Sequence, residues 1–316
     1  MRRSHLFIIV AFFFGPAQSH SFLDARDFHF QSRTQEPFIF HFVIQDSAYA
    51  RDAFEILSRA YEEISFDLQL DRADSFQIFI MPTRKSFRES LQGRLPSWTG
   101  AFANPSVNMM VIKSPRWSPD DSFAATLVHE FFHLLIHQHV GARELPRWLD
   151  EGLAIFYSRE ERWKKATTLS KALTTGSLIP LSEIDFVLEY HQAKADLAYQ
   201  QSLSAVEYLL RTYDSDGLRQ IIGGIKGGQN LDSCFRSATG SSYAEFEMEW
   251  QNYVRQTAKW MWLYELDDYL WLFIFVLLVL AFVLRRRHNI KIEEQWRAQS
   301  EETPRTDEEE EDEQEE

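Results

Sequence analysis

Cysteine is almost absent from this chain, which has one such residue, Cys234, among 316. A single thiol cannot form an internal disulfide, and it cannot supply the several thiolates that a cysteine-rich metal module needs. The sequence therefore excludes a disulfide framework, and Cys234 is interpreted as a small buried residue.

An excess of basic residues is absent as well. Lys and Arg number 33 against 47 Asp and Glu, which gives a net charge of −14, and no basic patch indicates nucleic-acid binding. Residues 301–316 hold eleven acidic residues and one arginine, a local charge of −10, so that only −4 remains for the rest of the chain. The acidity is thus a property of the tail and indicates no substrate class.

The N-terminus carries a short apolar run. Arg2 and Arg3 precede the apolar residues 6–14, and a plausible cleavage site follows Ser19. This pattern predicts a signal peptide over residues 1–19, with an uncleaved anchor as the alternative, and a linker over residues 20–36.

A second apolar run lies near the C-terminus. Residues 269–284 are apolar or aromatic, and three arginines follow at positions 285–287. This predicts one transmembrane helix over residues 266–284, with a buried globular helix as the alternative. Residues 285–316 are then predicted to be a disordered acidic tail in the cytoplasm. The intervening domain, residues 37–262, is expected outside the cytoplasm on a single-pass cell-membrane anchor, in the periplasm if the cell is a Gram-negative bacterium.

The middle of the chain alternates between strand and helix patterns, which indicates a mixed α+β domain. Strands come first, and a mostly helical half follows. The predicted strands are residues 38–44, 76–81, 98–102 and 107–112, and the predicted helices are residues 48–66, 118–140, 146–158, 195–212, 216–225 and 243–258.

The most informative motif is His129-Glu130-Phe131-Phe132-His133. Residues four positions apart lie on one face of a helix, so both imidazoles can bind one ion with Glu130 beside them. Ser118 is predicted to cap this helix and Gly141 to end it. Catalytic zinc takes three protein ligands and keeps one position open, so the motif predicts a third donor on another element.

Glu151 meets this requirement. Seventeen residues separate it from His133, and it lies in the segment Trp148-Leu149-Asp150-Glu151-Gly152-Leu153-Ala154. The alternative is a surface carboxylate at the start of a second helix, where acidic residues are common.

The pair HEFFH and WLDEGLA resembles the motifs of the gluzincin peptidases, the thermolysin-like zinc enzymes of the MA clan, and is similar to the HExxH and WLxEGxA motifs of the large aminopeptidases in that clan. The resemblance implies one Zn²⁺ ion held by His129, His133 and Glu151, with Glu130 as the general base on the zinc-bound water. It also implies a thermolysin-like α+β fold, in which an N-terminal mixed sheet and the zinc helix precede a helical half. The spacing to Glu151 is one residue shorter here than in those aminopeptidases.

Peptidases of this kind stabilise the oxyanion with a tyrosine or a histidine. Tyr199, in a predicted helix, is the candidate in this sequence. The alternatives are Tyr157, Tyr190 and His191. His137 and His139, near the end of the zinc helix, are interpreted as partners of the helix macrodipole or of a carbonyl group, outside the site.

These features together predict a zinc-dependent peptidase with peptide or protein substrates. In the aminopeptidases of the clan, the glutamate of a Gly-Ala-Met-Glu-Asn segment binds the amino group of the substrate. Residues 100–104, Gly-Ala-Phe-Ala-Asn, resemble that segment but have Ala103 in place of the glutamate, which favours an endopeptidase. The alternative function is a catalytically inactive, membrane-tethered binding protein on a peptidase fold. The sequence makes no prediction of the oligomeric state.

Overall fold

The computed structural model describes residues 29–71, 73–91, 100–119, 122–160 and 167–302. The predicted signal peptide and the acidic residues 303–316 lie outside this part of the chain. The chain divides into two compact units, Met1–Ala258 and Lys259–Glu316.

Five strands form one mixed sheet in the first unit. They are β1 (Gln31–Gln35), β2 (Phe38–Phe42), β3 (Phe76–Met81), β4 (Ala101–Asn104) and β5 (Met109–Lys113). The order across the sheet is β1-β2-β3-β5-β4. β2, β3 and β5 run parallel, whereas β1 and β4 are antiparallel to their neighbours. β4 is therefore an edge strand of the sheet. In the chain it comes shortly before α3, the helix that contains most of the predicted site.

The helices follow mainly after the sheet. They are α1 (Ser47–Leu68), α2 (Arg84–Ser90), α3 (Phe123–Val140), α4 (Arg147–Ser158), α5 (Thr167–Thr175), α6 (Gln192–Lys226), α7 (Leu231–Thr239) and α8 (Tyr243–Glu302). Short 3-10 segments occur at Ile44–Asp46, Pro105–Val107 and Leu181–Glu189. The order of elements matches the predicted arrangement of a sheet, a central helix and a helical half.

Aromatic rings attach α3 to the sheet. The ring of Phe131 lies 5.4 Å from that of Phe38 in β2 and 5.2 Å from that of Phe76 in β3, measured between centroids. All three side chains are fully buried, and burial of one such ring contributes about 1.5–3 kcal/mol. Every residue from His129 to His137 is buried, so α3 is a core helix over more than two turns.

α4 and α6 approach each other closely at Gly152. A Cβ atom on this residue would lie 2.4 Å from the carbonyl oxygen of Ser202 and 2.7 Å from Cγ2 of Val206. Only glycine therefore fits without a shift of the backbone. The contact fixes the depth of α4 at the residue directly after Glu151.

Most of the predicted elements are confirmed. Residues 76–81 form β3, and the strands predicted over residues 98–102 and 107–112 correspond to the antiparallel pair β4 and β5. The predicted break between helices 195–212 and 216–225 corresponds to a kink inside α6 at Asp214, whose φ is 55°. Gly141 ends α3 with a φ of 69°.

Two boundaries differ from the predictions. α3 begins at Phe123, with Ser122 at the N-cap position and no side-chain capping bond, so the predicted start at Ser118 is wrong. β1 lies inside the segment predicted as a linker, residues 20–36. The residues of β1 are polar and mostly exposed, so no hydrophobic alternation revealed the strand.

The predicted transmembrane helix is not found. Residues 266–284 belong to α8, but among the described residues no helix is long and apolar enough to cross a membrane. The side chains at positions 266–270 and 272 lie outside the described part. The predicted span includes Asp267 and Asp268, and its uncharged run of sixteen residues, 269–284, rises only about 24 Å against the roughly 30 Å of a bilayer core.

Candidate metal centre

Two histidines of α3 form one side of the site. His129 and His133 are buried, and their ring centroids lie 4.9 Å apart. One helical turn separates them, which places both rings over the same face of α3. Because α3 is anchored to the sheet through Phe131, the spacing of the two rings is set by the core.

Glu151 of α4 forms the other side. Its Oε2 atom lies 3.4 Å from Nε2 of His129 and 3.7 Å from Nε2 of His133. Its other oxygen, Oε1, lies 3.6 Å from Nε of Arg147, one turn earlier in α4. The carboxylate therefore turns one oxygen to the histidines and the other to an arginine.

These three groups fit a zinc ion by chemistry and by separation. One ligand atom from each of His129, His133 and Glu151 lies within 4.8 Å of the others. Two atoms bound to one zinc ion at about 2 Å can be at most about 4 Å apart, and both measured distances to Glu151 are shorter than this. Nε2 of His133 is also buried without a hydrogen-bond partner among the described residues. Such a group is costly unless something binds it.

A carboxylate lies behind each of the two histidines. Nδ1 of His133 lies 2.9 Å from Oδ1 of Asp150, and Nδ1 of His129 lies 3.1 Å from Oε1 of Glu160. Metal-binding histidines in proteins commonly donate their second N–H to a carboxylate. The contact of His133 with Asp150 is such a hydrogen bond, whereas the contact of His129 with Glu160 is an ion-pair contact. The sequence analysis missed Glu160, which follows α4 beyond Arg159, a residue with a φ of 55°. No fixed spacing marks it in the sequence.

Burial and charge set opposite protonation states on the two histidines. Burial alone would lower the pKa of His129, but Glu151 and Glu160 outweigh it and raise the pKa to about 10. For His133 burial dominates and lowers the pKa, although Asp150 opposes the change. Without a metal, His129 thus holds a proton at neutral pH and His133 is neutral.

Glu130 is a buried carboxyl group beside the histidines. Burial raises its pKa to about 8, and the charge of His129 opposes part of this rise. The backbone amide of Ala103 in β4 also lowers the pKa, but it completes no full hydrogen bond, since both carboxylate oxygens lack a partner among the described residues. Glu130 can therefore take up and release a proton near neutral pH.

Comparison with known families gives the geometry its context. Residues 65–256 match the family model described as Peptidase MA superfamily. The chain belongs to the Peptidase MA superfamily. The match runs from α1 into α8 and contains every residue of the candidate site. A search of the curated proteins finds no relative that matches this chain.

Membership of the Peptidase MA superfamily supports peptidase function. The mixed α+β fold, mostly helical with a five-stranded sheet, fits a peptidase of the MA clan. The structure brings together the three predicted ligands and Glu130. Their roles as ligands and base stay predictions.

Tyr199, the predicted oxyanion donor of this Peptidase MA superfamily domain, lies in α6 and is buried. It precedes Ser202 by one helical turn, and the carbonyl group of Ser202 is the one that approaches Gly152. Tyr199 is thus on the stretch of α6 that packs against the segment of Glu151. Its catalytic role stays a prediction.

The alternatives to Tyr199 have other contacts. Tyr157 stacks on Phe132, with ring centroids 5.7 Å apart, and burial raises its pKa. The hydroxyl of Tyr190 donates to the carbonyl of Glu183. His191 is the N-cap residue of α6 and accepts a bond from the amide of Lys194. These contacts give each of the three side chains a structural role.

His137 makes a contact that the sequence analysis did not expect. Its Nε2 atom lies 3.1 Å from Oδ2 of Asp150, the residue that also contacts His133. The sequence analysis assigned no role to Asp150. Its position between two imidazoles depends on the packing of α3 against α4, which the sequence does not reveal.

Proposed function

We propose that this domain is a zinc-dependent peptidase of the thermolysin-like, gluzincin type, and that it acts as an endopeptidase. The observation that carries the proposal is the set of three buried donor atoms, from His129, His133 and Glu151, that converge within 4.8 Å. Two imidazole nitrogens and one carboxylate oxygen are the donor set of catalytic zinc in peptidases.

Three side chains are proposed to bind the metal ion, and a fourth is proposed to transfer protons. His129, His133 and Glu151 would hold the ion, which supplies a Lewis acid that polarises a carbonyl group and acidifies water. Glu130 takes a proton from the water that attacks the peptide carbonyl. It then gives this proton to the leaving nitrogen as the C–N bond breaks. The raised pKa of about 8 belongs to the metal-free protein. A bound cation would lower it, which favours the carboxylate that acts as the base.

The endopeptidase assignment rests on β4. An aminopeptidase needs an acidic group to hold the free ammonium of its substrate. Ala103 lies on this edge strand, and its backbone amide approaches Glu130. Its methyl side chain provides no acidic group. Tyr199 is proposed as the donor to the oxyanion, on the basis of its place one turn from the contact between α6 and Gly152. The N-terminal apolar run, read as a signal peptide, supports action outside the cytoplasm.

Replacement of Glu130 by glutamine tests the proposal. The variant should keep zinc, since Glu130 is not among the ligands, and should lose about 10²–10⁴-fold in hydrolysis rate because the base is missing. The measurement combines zinc content with cleavage of a mixed denatured-protein substrate. Glu55→Gln is the matched control, since Glu55 is an exposed residue of α1 that pairs with Arg59, and its rate should equal that of the wild type.

Two results would count against the proposal. If Glu130→Gln cleaves as fast as the wild type, Glu130 is not the base. If the wild-type chain binds no zinc, the metal assignment fails, and the alternative of an inactive binding protein on a peptidase fold is favoured.

A further inference from the structure

We propose that His137 is a positioning residue for the metal centre, which holds Asp150 so that Asp150 in turn holds His133. This inference rests on the proposed function, because it assigns His133 to the metal. A histidine near the end of a helix usually interacts with the helix macrodipole or with a carbonyl group. That role does not explain the contact of His137 with Asp150.

The three groups form a continuous buried chain. Nδ1 of His133 lies 2.9 Å from Oδ1 of Asp150, and Nε2 of His137 lies 3.1 Å from Oδ2 of the same carboxylate. His133 is 0 %, Asp150 1 % and His137 9 % exposed. Each oxygen of Asp150 thus faces one imidazole, in surroundings where solvent cannot replace either contact.

The direction of both bonds follows from the charge of Asp150. Each oxygen of Asp150 has an imidazole nitrogen within 3.1 Å, and an ionised carboxylate can only accept a hydrogen bond. His133 must then donate from Nδ1, which leaves the lone pair of Nε2 facing Glu151. His137 must donate from Nε2. The tautomer of His133 that a metal requires is therefore fixed by Asp150.

His137 matters because a carboxylate can rotate. With both oxygens engaged, rotation of Asp150 would break a bond to one imidazole. Without the ring of His137, Oδ2 would lose a donor inside a buried site, which favours rearrangement of the carboxylate. Asp150 is also next to Glu151 in α4. The two hydrogen bonds of Asp150 therefore connect two turns of α3 to the turn of α4 that carries the third ligand.

The ring of His137 bonds to a side chain on another helix. Gly141, the C-cap residue, bonds through its amide to the backbone carbonyl of His137, whereas the imidazole bonds to Asp150. A role in balancing the helix macrodipole would need no partner on α4. The observed contact between helices is the feature that a positioning role explains.

The tautomer of His133 in the metal-free protein gives the first test. Nitrogen NMR of the histidine rings distinguishes a proton on Nδ1 from one on Nε2. The wild type should show His133 with the proton on Nδ1, and His137→Ala should show a mixture of the two tautomers. His137→Gln should restore the wild-type pattern, because the glutamine amide places an N–H near the position of imidazole Nε2.

Zinc affinity, measured by competition with a chelator, gives the second test. His137→Ala should bind zinc about 10–100-fold more weakly, the usual effect of losing a group that orients a ligand. The absorption spectrum of the cobalt-substituted protein should change in the same variant. His137→Gln should recover most of the affinity. His139→Ala is the control, because His139 lies near Asp71 and not near Asp150, and it should match the wild type.

The outcomes separate this inference from the proposed function. If folded His137→Ala keeps the wild-type tautomer and zinc affinity, or if glutamine is no better than alanine, His137 is not a positioning residue although zinc binding stands. If the wild type binds no zinc but the tautomer of His133 still responds to His137→Ala, the proposed function fails and the coupling between the two histidines stands.

Discussion

At the scale of single residues, His129 carries a proton that a metal ion must displace. Its pKa is raised to about 10, against an ordinary value of 6.5. At pH 7 the metal-free protein thus holds this proton, and zinc needs the neutral ring. We expect zinc binding to release at least one proton at pH 7, from His129 and in part from Glu130, whose pKa of about 8 a nearby cation would lower. The apparent affinity should rise at least about tenfold per pH unit between about pH 7 and 9. Calorimetry in buffers of different ionisation enthalpy measures the release, and binding without it would contradict the prediction.

The same groups give the metal-free protein a stability that depends on pH. His129 and Glu130 both have raised pKa values, of about 10 and about 8, so the folded state binds more protons than the unfolded state at neutral pH. The free energy of unfolding should therefore fall as pH rises from about 6 to 10. Thermal unfolding with a chelator present measures this slope. Zinc-bound protein is the control and should show a weaker slope.

The contact between Glu160 and His129 can be tested with a single substitution. Glu160→Gln removes the charge at 3.1 Å from Nδ1 of His129, and we expect a loss of about 10–100-fold in zinc affinity. The matched control is Glu63→Gln. Glu63 pairs with Arg159, the neighbour of Glu160, at 2.7 Å on the surface, and a surface pair contributes little. An equal loss in both variants would show that the effect comes from the end of α4 and not from His129.

At the scale of secondary-structure elements, the contact of α4 with α6 sets the position of Glu151. Gly152→Ala would put a Cβ atom 2.4 Å from the carbonyl oxygen of Ser202, and the two helices would have to separate. We expect a loss of about 1–3 kcal/mol in the free energy of unfolding, together with weaker zinc binding.

Gly223→Ala is the matched control for this prediction. Gly223 lies in α6, and a Cβ atom there meets nothing within 4 Å, so alanine should be neutral or should stabilise the helix by up to about 1 kcal/mol. Urea unfolding followed by circular dichroism compares the two variants. If Gly152→Ala is as stable as the wild type and binds zinc equally well, the helix contact does not set the site.

The elements also show what a sequence can predict. α1 was predictable because its buried residues recur every three or four positions, from Ala50 to Leu68, and β3 because its buried residues alternate. β1 was not, because it gains its place only by pairing with β2 and not by burying side chains. Local sequence patterns predict local secondary structure, whereas the pairing of strands across the sheet depends on the whole fold.

The candidate site divides in the same way. His129, Glu130 and His133 could be predicted because one helix turn fixes their geometry, and Glu151 because a motif surrounds it. The contacts of Glu160 and His137 depend on where α4 packs against α3, over separations that no spacing rule fixes. The predicted cap at Ser118 failed because α3 begins several residues later, at Phe123.

At the scale of the whole molecule, the boundary between the two units predicts which part of the chain folds alone. Phe246, Trp250 and Val254 at the start of α8 are buried in the first unit, and the second unit begins at Lys259. A fragment of residues 20–258 should keep the zinc affinity and unfold within a few degrees of the full chain, since a loss of about 1 kcal/mol shifts Tm by only about 2–4 °C.

A shorter fragment, residues 20–242, is the comparison. It lacks Phe246 and Trp250, each of which contributes about 3–5 kcal/mol by analogy with truncation to alanine, and a domain has only about 5–15 kcal/mol in total. We expect no cooperative unfolding transition by calorimetry. Equal transitions in both fragments would show that the start of α8 is not part of the core.

The unbroken burial from His129 to His137 has a consequence for the lifetime of the site. Segments at the surface open locally at little cost in free energy, whereas a core helix opens only when the domain unfolds. The amide hydrogens of this stretch should therefore exchange with solvent as slowly as those of β3, with or without metal. A bound ion would then leave by passing between side chains while α3 stays folded. The metal-free site would keep the geometry that the next ion needs.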